Sequence, residues 1–288
     1  MQPALRAALA RHLGSAVREV APVAGGDINQ AFRVWLADGR KLFVKTHPRP
    51  LPGMFGCEAQ GLAWLSQANA LRVPEVIAAS DNEAGAAFLG LELIEPARRC
   101  ADYDERLGRG LAALHRCHAT SFGFPRDNYI ATLAQHNAAA SSWPRFYLER
   151  RLEPQLALAV DRGHASSAMR AGFARVLARI DALCGPPEPP ARLHGDLWGG
   201  NAMVDERGQP VLIDPAVYGG HREIDLAMMQ LFGGFGPRCF AAYDELLPRA
   251  QGHEQRVPLY QLYPLLVHVN LFGGAYVASV ERALSRLV

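Results

Sequence analysis

The sequence predicts an α+β chain of two lobes, a small antiparallel β-sheet lobe with a helix and a larger, mainly helical lobe. Its 288 residues are enough for two lobes with a sizeable core, since domains commonly run from about 50 to 250 residues. Strand-like runs at 17–23, 31–36 and 41–45, punctuated by glycine turns, fill the first part of the chain. From Asp102 onward the apolar residues recur at helical spacing, as in Leu107, Leu111 and Leu114. The expected division is residues 1–94 and residues 95–288.

Residues 1–14 mix apolar side chains with Arg6, Arg11 and His12, which suits a short amphipathic helix and not an export signal with a continuous apolar centre. The strand at 17–23 leads to Gly25-Gly26-Asp27-Ile28, then to a second strand, a turn at Asp38-Gly39 and a third strand ending in Lys45. A glycine pair lets backbone amides approach phosphate, because no side chain stands between main chain and ligand. An ordinary hairpin turn also uses glycine, so the pair is weak evidence alone. Lys45 ends an apolar strand that would hold a cation beside that loop, whereas a lone lysine is more often solvated surface. Glu58, in a helical stretch at 55–68 with Leu62 and Leu65, is placed to face Lys45; its bland reading is first-turn helix stabilisation. The run 86–94 reads as a buried strand that ends the small lobe at Glu95-Pro96.

In the second lobe, Trp143, Phe146, Tyr147 and Leu148 read as core. His115, Cys117 and His118 lie close together without a zinc spacing and read as a helix end. An amphipathic helix is expected over 166–184, stopped by the proline cluster at 186–190. Residues 257–280 lack Asp, Glu, Lys and Arg, but Pro258, Gln261, Pro264, His268, Asn270 and Gly273-Gly274 interrupt them, so buried core helices are expected and not a membrane span.

Bulk properties narrow the function classes. Hydrophobic content of 49% with 20% charged residues excludes a disordered or fibrous chain. Thirty basic against 28 acidic residues give a formal net charge of +2 with no polybasic tract, so nucleic-acid binding is not indicated. Five widely spaced cysteines, odd in number and without a Cys-x-x-Cys pair, point to a reducing cytoplasm.

The chemistry concentrates in His194-Gly195-Asp196-Leu197-Trp198-Gly199-Gly200-Asn201, followed by the short apolar strand Val211-Leu212-Ile213 and Asp214. Asp196 is a candidate base, and Asn201 and Asp214 are candidate magnesium ligands, at the spacing of enzymes that move phosphate from ATP to a hydroxyl. A carboxylate must sit beside the attacking hydroxyl to orient it and take its proton, while hard oxygen ligands hold the magnesium that bridges the nucleotide phosphates. An Asp-x4-Asn pair alone would read as a polar loop between strands. Lys45 and Asp214 together favour the functional reading.

With Lys45, Glu58, Asp196, Asn201 and Asp214 in this order, the chain resembles the protein-kinase-like superfamily, and within it the fructosamine kinase (ketosamine 3-kinase) family. The specific signs are the run at 194–201, Asp214-Pro215-Ala216, Tyr218-Gly219-Gly220-His221-Arg222-Glu223, Phe232-Gly233-Gly234-Phe235 and Tyr260-Gln261-Leu262-Tyr263. The resemblance covers nearly the whole chain. It implies a two-lobed protein-kinase-like fold, residues 1–94 forming the nucleotide-binding lobe and 95–288 the catalytic and substrate-binding lobe. It also implies use of ATP and Mg2+ and transfer of the γ-phosphate to the 3-hydroxyl of a ketoamine adduct, whose unstable product releases the amine, a deglycation of small amines or proteins. By match, Asp196 is the base, Asn201 and Asp214 the magnesium ligands, Gly25 and Gly26 the phosphate loop, Lys45 the phosphate grip with Glu58 its partner, and Glu92, Leu93 and Ile94 the adenine contact through the main chain. Trp198 either shapes the sugar pocket or braces the catalytic loop. Asp225 reads as a structural acid that fixes backbone amides. Some relatives carry a cysteine in the glycine loop, where this chain has Asp27 and Ile28, so redox control through that loop is not expected; Cys57 leaves another thiol beside Glu58. Two other readings remain open: the same chemistry on an aminoglycoside, choline or other small hydroxyl compound, and a kinase-like protein that holds nucleotide without turnover.

Overall fold

The computed structural model describes residues 1–24, 29–81 and 86–287; Gly25, Gly26, Asp27 and Ile28 lie outside the described residues. The chain forms two compact units, one of Met1–Tyr103 with Ala202–Pro215 and one of Asp104–Asn201 with Ala216–Val288.

The first unit begins with α1 (Pro3–Leu13), which stops at Gly14 in the left-handed conformation, φ 64°. Strands β1 (Val17–Val23), β2 (Gln30–Leu36), β3 (Lys41–Thr46), β4 (Val76–Asp81) and β5 (Ala87–Glu92) form one antiparallel sheet in the order β1-β2-β3-β5-β4. Successive strand residues face opposite sides of a sheet. Accordingly Val34, Leu42, Val44 and Phe88 pack with Leu5, Ala8 and Leu9 of α1, while Phe43, Leu89 and Leu91 pack with Phe55 and Leu62 of α2 (Met54–Ser66). The same alternation puts Lys45 on the α2 side, beside Val44 on the α1 side. Phe88, fully buried in the first cluster, is a residue whose truncation to Ala costs about 3–5 kcal/mol. The unit is completed by a hairpin from later sequence, β9 (Ala202–Val204) with β10 (Pro210–Leu212), which bridges to Arg72 through Val211.

The second unit is mainly helical. Helix α3 (Tyr103–Arg116) buries Leu107, Leu111 and Leu114 on one stripe. A hairpin of β6 (Asn128–Ile130) and β7 (Leu133–Gln135) follows, an element that the helical pattern of 102–160 did not announce. Helix α4 (Trp143–Tyr147) runs through a π-helical turn, Leu148–Leu152, into α5 (Glu153–Asp161). That turn carries Arg151 inward, fully buried, where its guanidinium lies 3.9 Å from the Tyr218 ring centre and donates to Asn137 Oδ1 at 2.7 Å. The helix expected over 166–184 is divided into α6 (Ser167–Leu177), capped by Ser166 accepting from the Met169 amide, and α7 (Ile180–Leu183).

Strand β8 (Ala191–Leu193) pairs antiparallel with β11 (Tyr218–Gly220), and α8 (Glu223–Phe232), α9 (Pro237–Leu246), α10 (His253–Phe272) and α11 (Val277–Ser285) complete the unit. Pro258 and Pro264 sit inside α10, each leaving one carbonyl of the preceding turn without its helical donor. Among the described residues no helix is long and apolar enough to cross a membrane.

Candidate active site

In the first unit the Lys45 ammonium meets two carboxylates. Its Nζ donates to Glu58 Oε1 at 2.6 Å and also pairs with Asp214 Oδ1. Strand β3 fixes the lysine, α2 supplies the glutamate, and the segment following β10 supplies the aspartate. The Lys45 side chain is 7% exposed and that of Asp214 44%, so the cation is buried while one of its partners reaches solvent. Burial works against the ammonium, but Glu58 and Asp214 outweigh it and hold the Lys45 pKa above the ordinary lysine value. The Glu58 carboxyl is raised by burial, with Asp214 adding to the effect and Lys45 opposing it. One cation thus serves two acids. Asp214 has φ 54°, a left-handed conformation uncommon for a residue with a side chain.

In the second unit the stretch 194–201 is a loop held at both ends. Its entry is clamped by Asp225, fully buried on α8, whose carboxylate accepts the His194 amide at 2.8 Å and the Gly195 amide at 2.9 Å. The same carboxylate accepts a hydrogen bond from His115 Nε2 at 3.2 Å, while His115 Nδ1 hydrogen-bonds with the Tyr243 hydroxyl at 2.8 Å. Burial pushes the Asp225 carboxyl up, but the His115 hydrogen bond, the His115 and His194 rings and the Gly195 amide prevail and hold it below the usual carboxylate range. Asp225 is therefore the structural acid that the sequence suggests. The role of His115, by contrast, had no signal beyond its place near a helix end.

At the loop's far end Asn201 Nδ2 donates to the Asp196 carbonyl at 2.7 Å and to Asp196 Oδ2 at 3.0 Å. This holds the Asp196 carboxylate in one orientation and turns the amide oxygen of Asn201 away from it. Gly195 has φ 82°, and a Cβ there would meet the Ala216 carbonyl oxygen at 2.0 Å. Gly199 packs so closely on the turn after α8 that a Cβ would lie 3.1 Å from the Gly233 carbonyl oxygen, which gives the Phe232-Gly233-Gly234-Phe235 motif its purpose. Trp198, within this loop, is 43% exposed.

Two ion pairs, one partly exposed at Glu188 and one buried, account for another motif. Arg222 forks onto Glu188 at 2.8 and 3.0 Å, and Arg256 forks onto Glu223 at 2.8 and 2.6 Å, tying the proline-rich 186–190 segment and α10 to the start of α8.

The structure thus brings Lys45, Glu58 and Asp214 together in one unit and Asp196 with Asn201 in the other. Glu92, Leu93 and Ile94 lie at the end of β5, where the Glu92 amide donates to the Glu75 carbonyl at 2.8 Å. Gly25 and Gly26 lie outside the described residues. The oxygen donors of Asn201 and Asp214 are the hard type that suits magnesium, and a partly exposed carboxylate on Asp214 fits that use.

A family model described as fructosamine kinase matches residues 1–288. An Enterococcus faecium protein designated a ketoamine kinase is 41% identical over 268 residues, covering 92% of this chain and 94% of that one. The chloroplastic protein-ribulosamine 3-kinase of Arabidopsis thaliana is 37% identical over 265 residues, covering 91% of this chain and 80% of that one. A crystal structure from Thermobifida fusca, carrying a fructosamine-3-kinase designation, superposes with a TM-score of 0.91 at 40% identity and covers 100% of this chain and 99% of that one. The aminoglycoside phosphotransferase APH(4)-Ia, with a TM-score of 0.66 at 15% identity, covering 99% of this chain and 98% of that one, shares the fold alone. An α+β, protein-kinase-like chain matched along its whole length in this way belongs to the fructosamine kinase family.

Proposed function

We propose that this protein is an ATP-dependent kinase that phosphorylates the 3-hydroxyl of ketoamine sugar adducts, fructosamines or ribulosamines, and so leads to deglycation. The observation that carries the reading is the Asp196 loop: a carboxylate held in one orientation by Asn201, on a backbone clamped by a buried acid, in a chain of this family.

Asp196 takes the proton of the sugar hydroxyl as its oxygen bonds to the γ-phosphorus and the bond to the β-phosphate oxygen breaks, ADP carrying away the electron pair. Lys45 grips the nucleotide phosphates and Glu58 orients it. Gly25 and Gly26 are the proposed phosphate-loop glycines. With the Glu92 amide already donating to Glu75, adenine recognition falls chiefly to the main chain at Leu93 and Ile94. Asn201 and Asp214 are the proposed magnesium ligands; the bound ion neutralises charge on the phosphates. The exposed ring of Trp198 offers an apolar face to a sugar. The substrate is a small ketoamine or a glycated protein, met in the cytoplasm.

The test is a phosphate-transfer assay with ATP and Mg2+ against ribulosamine and fructosamine forms of lysine, aminoglycosides and choline, with the phosphorylated carbon located by NMR. Transfer to carbon 3 of a ketoamine, abolished in Asp196→Asn with nucleotide binding retained, is the expected result. Turnover of choline or an aminoglycoside with none of a ketoamine would overturn it.

A further inference from the structure

Three carboxylates of the first unit converge on the Arg72 guanidinium. Its Nη2 donates to Glu92 Oε1 at 2.5 Å, and its Nη1 donates to Asp205 Oδ2 at 2.8 Å and Glu206 Oε1 at 3.0 Å. Asp205 is a fixed anchor: its side chain is 4% exposed, and its other oxygen accepts the Arg207 and Gln209 amides at 2.9 and 2.8 Å. Main-chain bonds join the same segments. The Leu212 amide donates to the Arg72 carbonyl at 2.9 Å, the Ala97 amide to the Asp205 carbonyl at 3.2 Å and the Cys100 amide to the Gly208 carbonyl at 3.1 Å.

What these segments carry gives the hub its meaning. Glu92 opens the crossover assigned above to the adenine. Asp205 and Glu206 form the turn of the β9–β10 hairpin, whose second strand runs through Leu212 to Asp214, the residue paired with Lys45. A planar fork of five donors serves acceptors in several directions at fixed angles, which a point-like ammonium does less well. Displacement of a binding segment by about 1 Å is enough to change function by as much as a hundredfold.

We infer that Arg72 is a positioning residue for the nucleotide: it holds the crossover that meets the base in register with the strand that delivers Asp214. The inference rests on the nucleotide-binding part of the function proposed above.

The test compares Arg72→Met, which keeps the apolar stem, with Arg72→Lys, which keeps the charge. Loss of charged hydrogen bonds in Arg72→Met raises the KM for ATP about tenfold and lowers kcat by a smaller factor through the strand that delivers Asp214, with the ketoamine KM within about twofold of the parent. Arg72→Lys recovers part of the loss. Glu92→Gln, which weakens one arm, shifts the ATP KM in the same direction by less and reads the hub even if Arg72→Met fails to fold. Arg109→Met, which removes an exposed pair with Glu245 in the second unit, leaves all three constants unchanged. An ATP KM within twofold of the parent in folded Arg72→Met and Glu92→Gln would overturn the inference, as would equal movement of all three constants without rescue by lysine. Calorimetric binding of a non-hydrolysable ATP analogue separates the two proposals. Binding by the parent without phosphorylation of any ketoamine sinks the functional reading and leaves the Arg72 comparison measurable, and no binding by the parent sinks both.

Discussion

Replacing Asp225 by Asn keeps the size of the side chain, removes its charge and puts an amide NH2 where an oxygen now accepts a proton. The native carboxylate accepts two loop amides and the His115 ring from a position with no solvent exposure. Hydrogen bonds to a charged group contribute about 1.5–3 kcal/mol each, and a buried donor left without its acceptor costs a further ~1–3 kcal/mol. Asn retains one acceptor, so a net loss of about 2–4 kcal/mol is expected. For a chain of this size each kcal/mol moves Tm by roughly 2–4 °C, giving a fall of about 5–15 °C. The 194–201 loop that carries the proposed base loses its clamp at the same time, so kcat is expected to fall by about 10- to 100-fold. Asp225 has a folded-state pKa below its unfolded value, so its contribution is complete above about pH 4, the unfolded carboxyl range, and is lost as pH falls through the folded pKa. Calorimetric scans between pH 3 and 7 should therefore show a steep acid limb in the parent that is shallower in Asp225→Asn. A variant melting within ~1 °C of the parent, with unchanged kcat, would refute the clamp.

Lys45→Met removes the cation shared by Glu58 and Asp214 and leaves two neighbouring carboxylates without it, so ATP affinity should fall at least tenfold while the fold survives; equal affinity by calorimetry would exclude Lys45 from phosphate binding. Gly195→Ala should be among the most damaging single-methyl additions, because its Cβ would stand 2.0 Å from a main-chain oxygen at a left-handed φ; a soluble, fully active variant would contradict the loop geometry.

The parts of the site that were legible in the sequence are those where chemistry dictates residue type. Lys45 and Glu58 could be paired because strand alternation and helical spacing both face them inward; Asp196, Asn201 and Asp214 stood out because the proton transfer and metal binding proposed for them tolerate few substitutes, and the structure joins Asp196 to Asn201 and Asp214 to Lys45. What was not legible depends on partners distant in sequence. Arg72 looks like any surface arginine until Glu92, Asp205 and Glu206 fold around it. Arg151 sits in a stretch with ordinary helical periodicity, and only the π-helical turn points it into an aromatic cage. The separation of α6 from α7 has no glycine or proline to announce it, and the β6–β7 hairpin is too short for a periodic signal.

The first unit is assembled from two stretches of chain that lie about a hundred residues apart in sequence. A nascent polypeptide emerging from the ribosome can build the five-stranded sheet early, yet the acid that shares Lys45 arrives only after residues 104–201 of the second unit have been synthesised. Fragments that terminate ahead of residue 202 would carry the lysine and its glutamate without that second acid. The Lys45–Glu58–Asp214 contact is thereby deferred until the chain has been made past residue 214.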